Sequence, residues 1–208
     1  MIATRTYAWP IWCFPVILSA AASAFAAEPA RPVVVDKSLI AHWTFDDDAT
    51  STTLAEATGK ERLAVPAVAV ERRRGVHGNA LSLGGKHRLA VADLEVKELD
   101  AITFSAWTLP GELSGYREIF RKECPNRLLF SYQNNGAILS LGLNIGGYVE
   151  CDAQIVPAQV HDGVWHHCAA TFDGRTMRVY LDGREIASLE RPGKIAAEGD
   201  VPAFIGSS

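Results

Sequence analysis

The sequence has no excess of positive charge, since 20 Lys and Arg residues stand against 24 Asp and Glu residues, a formal net charge of −4. This balance excludes a strongly basic nucleic-acid binder and gives no reason to expect attraction to anionic membranes. The chain also lacks the composition of a collagen-like or wholly disordered protein, because 48% of its residues are hydrophobic. Its 208 residues suffice for one sizeable core and fit one domain better than two.

Several short motifs of catalysis and metal binding are missing. There is no C-x-x-C pair, so nothing points to a structural zinc site. There is no G-x-S-x-G nucleophile elbow and no glycine-rich phosphate loop leading into a helix. The sequence therefore gives no motif for a serine hydrolase or a nucleotide-binding enzyme.

The first 26 residues have the features of a secretory signal peptide. Arg5 supplies the positive start, an apolar run extends from Ile11 to Ala22, and Ala24-Phe25-Ala26 offers a small-x-small cleavage pattern. Prolines break the apolar run, which is shorter than the ~20 residues of a membrane-spanning helix. We expect cleavage after residue 26 or 27, a spacer over 27–37, and a secreted protein, extracellular or periplasmic, that does not insert into a membrane.

Few cysteines remain for disulfides once the signal peptide is removed. Cys124, Cys151 and Cys168 remain, so at most one internal bridge can form. Cys124 with Cys151 is the preferred pair, because both lie beside turns that flank a strand-rich stretch. Cys168 lies in an apolar run and is interpreted as a buried free thiol. The alternative is that all three are free.

The rest of the chain lacks a long apolar stripe of helical period and alternates apolar and polar residues instead. This alternation predicts strands, among them Ile40–Phe45, Ile102–Trp107 and Leu139–Ile145. Helices of at most one or two turns are expected near 54–57 and 93–99. Turn signals separate the strands at Asn134-Asn135-Gly136, Gly146-Gly147, Asp173-Gly174 and Asp182-Gly183. Many short antiparallel strands predict an all-β sandwich or jelly roll.

Five segments, in order along the chain, carry a resemblance to a known family. They are Leu39–Asp47 (LIAHWTFDD), Gly75–Leu83 (GVHGNALSL), Ile102–Trp107 (ITFSAW), Asp162–Gly174 (DGVWHHCAATFDG) and Met177–Gly183 (MRVYLDG). Together they resemble the laminin G-like jelly roll of the concanavalin A-like lectin/glucanase superfamily. The resemblance implies one such antiparallel β-sandwich domain over residues 38–208. It implies function only weakly, because this fold hosts many activities.

The sequence departs from the family pattern in two places. Family members normally continue past the F-I-G strand, here Phe204–Gly206, with a segment of the type G-x-I-D-D-V-R-I-Y, which is missing. A sandwich that stops there would leave a neighbouring strand without a partner, so we expect a truncated domain within a larger multidomain chain. The disulfide of the pentraxin relatives is also absent, because Ala106 stands opposite Cys168 in the matching positions.

Catalytic residues are not predicted. Hydrolase relatives place carboxylates in an E-x-D-x-E pattern on one strand face, and the search for it or a near variant finds none. The nearest acidic clusters, Asp46–Asp48 and Asp93–Asp100, are assigned to a turn and a solvated loop. Lyase relatives use Tyr, His and Arg, for which Tyr116, Arg117, Arg121, His166 and His167 are the candidates. Adjacent histidines on one strand point to opposite faces and cannot share a site.

A non-catalytic recognition domain is therefore the leading hypothesis, with a glycan or an extracellular protein as partner. Jelly rolls bind sugars through aromatic rings and through amide or carboxylate groups. Asn134 and Asn135 supply amides near a turn, and Tyr132 and Tyr148 supply rings nearby. The alternative is that the asparagines serve turn geometry and the tyrosines pack. The tryptophans are predicted to lie in the core.

Calcium is the ion that the resemblance favours, because laminin G-like and pentraxin domains often hold it at a loop edge. Asp46, Asp47 and Asp48 are the candidate ligands, since hard oxygen ligands on short loops suit Ca²⁺. Three successive carboxylates repel one another unless a cation or solvent screens them. Solvent screening is the alternative. Arg72–Arg74 is either an acidic-polysaccharide contact or a solvated surface run.

Overall fold

The computed structural model describes residues 37–48, 51, 53–58, 63–66, 70–84, 87–91, 94, 96–122, 126–199 and 201–206. The predicted signal peptide lies outside these residues, and so do Cys124, Asp93 and Glu95. Within the described part, no helix has the length and apolarity to cross a membrane.

Alternating apolar and polar residues form short strands throughout the described part, which contains fourteen of them and no α-helix. The strands are β1 (Leu54–Ala55), β2 (Leu63–Pro66), β3 (Glu71–Arg74), β4 (Asn79–Ser82), β5 (Leu89–Val91), β6 (Ile102–Thr108), β7 (Arg117–Lys122), β8 (Leu128–Gln133), β9 (Ile138–Asn144), β10 (Tyr148–Gln154), β11 (His166–Phe172), β12 (Thr176–Leu181), β13 (Arg184–Glu190) and β14 (Ala203–Ile205). Short 3₁₀ turns lie at Asn134–Gly136 and Pro157–Gln159. The prediction of an all-β protein is confirmed.

The strands form two main antiparallel sheets. The larger sheet has the order β1-β2-β5-β14-β7-β8-β9-β10, and the smaller has the order β13-β12-β11-β6. A separate hairpin joins β3 to β4. The last described strand, β14, pairs with both β5 and β7, so it lies inside the large sheet rather than at its edge.

The core lies between the two sheets. Leu139, Leu141 and Leu143 on β9 are fully buried, and so are Cys168 and Ala170 on β11. Each set occupies alternate positions of its strand, which places it on one face. Burial of a leucine side chain contributes roughly 1.5–3 kcal/mol. The interleaved residues point to the other face of each sheet, where some, such as Ser140, are also buried, and the candidate site is built on that face.

Two local predictions are wrong. The segment Ile40–Phe45 forms no strand; Trp43 and Phe45 pack half-buried against the core, and Phe45 has a φ of 64°, which interrupts an extended conformation. The segment 54–57 does not form a helical turn. Its first two residues are β1, and the buried Glu56 carboxylate accepts the backbone N–H groups of His42 at 2.7 Å and Thr58 at 2.9 Å.

Candidate functional site

One face of the large sheet carries polar residues in a row across four strands. Strand pairing places Glu118 of β7 opposite Ser131 of β8, Ser131 opposite Ser140 of β9, and Ser140 opposite Asp152 of β10. The neighbours of these residues along each strand point into the core, so the row lies on the outer face. With strands ~4.8 Å apart, the row is roughly 14 Å long.

The side chains of this row and their neighbours are joined by hydrogen bonds. Ser140 Oγ donates to Asp152 Oδ1 at 2.6 Å. Gln133 Nε2 donates to Ser131 Oγ and to Glu150 Oε1, each at 3.3 Å. We define the polar sheet face as the residues Glu118, Ser131, Gln133, Ser140, Tyr148, Glu150 and Asp152. Ser131 and Ser140 are fully buried and Gln133 is 5% exposed, so the groups of this face that reach solvent are those of Tyr148, Glu150 and Asp152.

Tyr148 adds an aromatic ring at the end of this face. Its side chain lies across Gly142, where a Cβ atom would be 2.2 Å from the Tyr148 Oη. The hydroxyl donates to Glu150 Oε1 at 2.7 Å, and the Arg127 guanidinium is 5.2 Å from the ring centroid. Burial is the largest cause that raises the pKa of Tyr148, and the hydrogen bond and negative charge of Glu150 raise it further. The residue remains 43% exposed, so part of its ring is open to a ligand.

Glu118 closes the other end of the row. Its side chain is only 7% exposed, and its Oε1 accepts Arg121 Nη1 at 2.9 Å. Its Oε2 is buried without a hydrogen-bond partner in the described structure. A buried carboxylate oxygen without a donor costs free energy, and its burial keeps it out of contact with a ligand in this conformation.

Sequence analysis missed the acidic residues of this face. Glu150-Cys151-Asp152 supplies two of the three carboxylates of the E-x-D-x-E pattern, with Gln154 in the third position. All three lie on one face of β10, because they alternate with Cys151 and the buried Ala153. The conclusion that no near variant is present is therefore wrong. The period-2 alternation of β10 is the signal in the sequence that identifies Glu150 and Asp152 as a pair, just as the alternation of β9 predicts that strand.

The four predicted ligand-binding residues have different positions in the structure. The prediction that Tyr132 binds a ligand is wrong. Tyr132 is 3% exposed on the inner face, with its hydroxyl 3.0 Å from both Cys168 Sγ and Thr108 Oγ1, so it cannot contact a sugar. Asn134 and Asn135 are exposed in the β8–β9 turn, where both adopt positive φ. Asn135 Oδ1 accepts the Gly115 N–H at 2.8 Å, a structural contact between two loops. Tyr148 alone lies on the polar sheet face.

Of the three candidate calcium ligands, Asp46 has a visible structural role. Asp46 Oδ1 accepts the Asn79 N–H at 2.6 Å, and its carboxylate lies against Gly78, whose φ is 60°. This carboxylate holds the β3–β4 turn in place. Among the described residues, no group of three His, Cys, Asp or Glu side chains has metal-binding geometry. Calcium at Asp46, Asp47 and Asp48 stays a prediction.

The described cysteines are both buried free thiols. Burial raises the pKa of the Cys151 thiol to about 11, so it is protonated at neutral pH. Burial also raises the pKa of Cys168, and its free state confirms the prediction for that residue. The predicted partner Cys124 lies outside the described residues, so the structure does not confirm the Cys124–Cys151 disulfide.

The adjacent histidines have different surroundings. His166 is buried, with Nδ1 2.8 Å from Asp182 Oδ2 and Nε2 3.1 Å from Asp162 Oδ1. Burial lowers the pKa of His166, but the hydrogen bonds and charges of Asp182 and Asp162 outweigh it and raise the pKa overall. His167 is on the outer face of the small sheet, with Nε2 2.8 Å from Ser105 Oγ. The two rings do not share a site.

Two antiparallel sheets with the core between them place this protein in the class of β-sandwich jelly rolls. The family model Laminin_G_3, described as the concanavalin A-like lectin/glucanases superfamily, matches residues 83–208, and the chain belongs to this family. This confirms the resemblance found in the sequence. No curated protein sequence matches the chain.

Solved structures share the fold. Domain 4 of AbnA, a GH43 extracellular arabinanase from Geobacillus stearothermophilus in complex with arabinotriose, is 18% identical with a TM-score of 0.59, covering 74% of this chain and 77% of that domain. The binding domain of Paraclostridial Mosquitocidal Protein 1 is 13% identical with a TM-score of 0.58, covering 74% of this chain. The botulinum neurotoxin DC binding domain, solved with rat synaptotagmin II, is 11% identical with a TM-score of 0.51, covering 77%. This chain spans only 42% and 43% of these two toxin domains.

Proposed function

We propose that this protein is a non-catalytic extracellular recognition module that binds carbohydrate on its polar sheet face. The observation that carries the proposal is the half-exposed ring of Tyr148 beside the carboxylates of Glu150 and Asp152, which the buried polar side chains of the sheet hold in place. Sugar hydroxyls both donate and accept hydrogen bonds, and this face offers partners for each role. The apolar side of a sugar ring needs a flat apolar partner, which Tyr148 supplies.

The binding mode follows from the arrangement of these groups. The Arg127 guanidinium lies over one face of the Tyr148 ring, and a sugar that packs on the exposed part of the ring has the Glu150 carboxylate beside it. The next sugar meets the exposed Asp152 carboxylate, which the buried Ser140 hydroxyl holds in place. A short oligosaccharide lying along β10 fits this sequence of groups. The complex of arabinotriose with the related arabinanase domain supports a glycan as the ligand class.

A polysaccharide hydrolase is the second candidate function, because Glu150 and Asp152 are carboxylates on one face of one strand. We favour binding without catalysis for two reasons. Gln154 occupies the position of the third carboxylate in the hydrolase pattern. Glu150 also already accepts hydrogen bonds from Tyr148 and Gln133, which hold it in a binding rather than a proton-transfer role.

The test is a glycan array, probed with and without calcium, followed by titration of the strongest ligand into the wild type and into Tyr148→Ala. Loss of a stacking ring is expected to weaken binding about tenfold or more, about 1.4 kcal/mol. Tyr148→Phe keeps the ring and loses only the bond to Glu150, so it should retain most of the affinity. Tyr116→Ala is the matched control, because Tyr116 is an exposed tyrosine outside the polar sheet face.

Three outcomes would contradict the proposal. Absence of any glycan signal, together with capture of a purified extracellular protein, would favour a protein-adhesion module instead. Equal affinity of Tyr148→Ala and the wild type would move the site elsewhere on the molecule. Release of new reducing ends from a polysaccharide panel, abolished in Glu150→Gln, would make the protein an enzyme. Affinity that depends on calcium and is lost in Asp46→Asn would support the predicted calcium site.

A further inference from the structure

The outer face of the small sheet carries an aromatic ring that does not pack in the core. Trp107 was predicted to lie in the core, but it is 47% exposed. The reason is strand alternation: Ile102 and Phe104 pack against the core from one side of β6, so Trp107 points to the other. A half-exposed indole leaves a large apolar surface in contact with water.

Hydrogen-bonding groups surround this ring. Trp107 is paired in register with His167, and their ring centroids are 5.2 Å apart with a tilt of 58°. His167 Nε2 is 2.8 Å from Ser105 Oγ. The backbone N–H of His167 donates to Asp182 Oδ1 at 2.9 Å, which fixes the strand beside the indole. The Asp182 side chain is itself half-exposed, so a carboxylate stands at the rim.

The surroundings favour a small ring-shaped ligand over a protein surface. Beyond Trp107, the outer positions of this sheet are mostly polar, among them Thr103 on β6, Thr171 on β11 and Arg178 on β12, with Ala169 and the half-buried Tyr180 between them. Leu109 and Val164, just outside the ends of β6 and β11, are also exposed. A stable protein interface needs a contiguous area of about 1,000 Å² or more. One indole with hydroxyl, imidazole and carboxylate groups beside it matches the needs of a single sugar ring.

We propose that Trp107, His167 and Ser105 form a second carbohydrate-binding site. A sugar ring stacks on the exposed indole, and its hydroxyls bond to His167, Ser105 and the Asp182 carboxylate. This site lies on the opposite side of the sandwich from the polar sheet face and shares no residue with it. Its existence therefore does not depend on the function proposed above.

The test is an NMR titration of the ¹⁵N-labelled full chain with arabinotriose, cellotriose, laminaritriose and chitotriose. The indole N–H resonance of Trp107 is assigned by its absence in Trp107→Phe. We expect at least one trisaccharide to shift this resonance, and Trp107→Ala to weaken that binding about tenfold. Trp107→Phe keeps an aromatic ring and should retain part of the affinity. Tyr148→Ala should leave the Trp107 shift unchanged.

The outcomes separate the two sites. Binding that is lost in Tyr148→Ala, with the Trp107 resonance unmoved by all four sugars, would overturn the second site and leave the proposed function standing. A shift at Trp107 that persists in Tyr148→Ala supports the second site whatever happens on the polar sheet face. A concentration-dependent mass in sedimentation that Trp107→Ala abolishes would make this patch a self-association surface and overturn the proposal.

Discussion

Single residues of the same type have opposite surroundings according to the side of the strand they occupy. Tyr132 is buried in the core beside Cys168, whereas Tyr148 lies exposed on the outer face. His166 is enclosed by two carboxylates, whereas its neighbour His167 faces outward toward Ser105. Because side chains alternate along a strand, a shift of one position separates a structural residue from an available one.

The pair of carboxylates around His166 predicts a pH-dependent stability. Both ring nitrogens face carboxylates, so the imidazolium is the form the folded protein favours. A folded-state pKa above the unfolded value of about 6.5 adds stability that is complete below that pH and is lost as pH rises through the folded pKa. The melting temperature of the wild type should therefore exceed that of His166→Gln most at pH 5.5–6 and less at pH 8, as measured by circular dichroism.

His167→Gln is the matched control for this experiment, because it changes a histidine that faces outward from the same strand. Its melting temperature should follow the wild type at every pH. If His166→Gln differs from the wild type by a constant amount between pH 5.5 and 8, the imidazolium is not the stabilising form.

At the scale of elements, β7 is joined to the segment before β14 by a buried charge. Lys122, at the end of β7, is 1% exposed, and its Nζ donates to the carbonyl oxygens of Gly199 at 2.6 Å and Val201 at 3.1 Å. Ladder hydrogen bonds then pair β14 with β7 directly. Lys122 thus provides a hydrogen-bond donor to two carbonyl oxygens of residues that lie outside the strands.

Lys122→Met should therefore destabilise the protein. The methionine fills a similar volume but leaves the carbonyls of Gly199 and Val201 without their donor, at a cost of about 1–3 kcal/mol. Urea unfolding followed by circular dichroism measures this loss. Lys194→Met is the control, because Lys194 is an exposed lysine whose ion pair with Glu98 is screened by solvent, so its loss should change the free energy of unfolding much less. Equal losses in the two variants would argue against the buried contact as the cause.

At the scale of the whole molecule, both proposed sites rest on one core. The polar sheet face is the outer side of the large sheet and the Trp107 face is the outer side of the small one, with the leucines of β9 between them. Both faces are therefore supported by the same interior. We expect them to be lost together when the protein unfolds.

Leu141→Ala tests this coupling. Leu141 is fully buried at the centre of β9, and its truncation should cost about 2–5 kcal/mol. Unfolding in urea, followed by tryptophan fluorescence and by circular dichroism, should remain one coincident transition at lower urea. Leu109→Ala is the control, because Leu109 is 43% exposed and its truncation should change the free energy of unfolding little. Two separate transitions in Leu141→Ala would show that the sheets fold independently.

Alternation along the chain predicted many strands correctly, including β6, β9 and β12, and the turns between them, because a strand's period and a turn's residues are local properties. It failed for Ile40–Phe45, whose alternation is present but which has no ladder in the described structure. It also placed Trp107 in the core, because alternation defines two faces without saying which one is covered.

Composition, period and ordered motifs were enough to predict the fold class, the family and the residues that share a face of each strand. They could not predict which strands are neighbours, and so the alignment of Glu118, Ser131, Ser140 and Asp152 in one row is known only from the folded chain. These residues are separated by up to 34 positions in the chain. Their alignment depends on strand register, which long-range core packing sets.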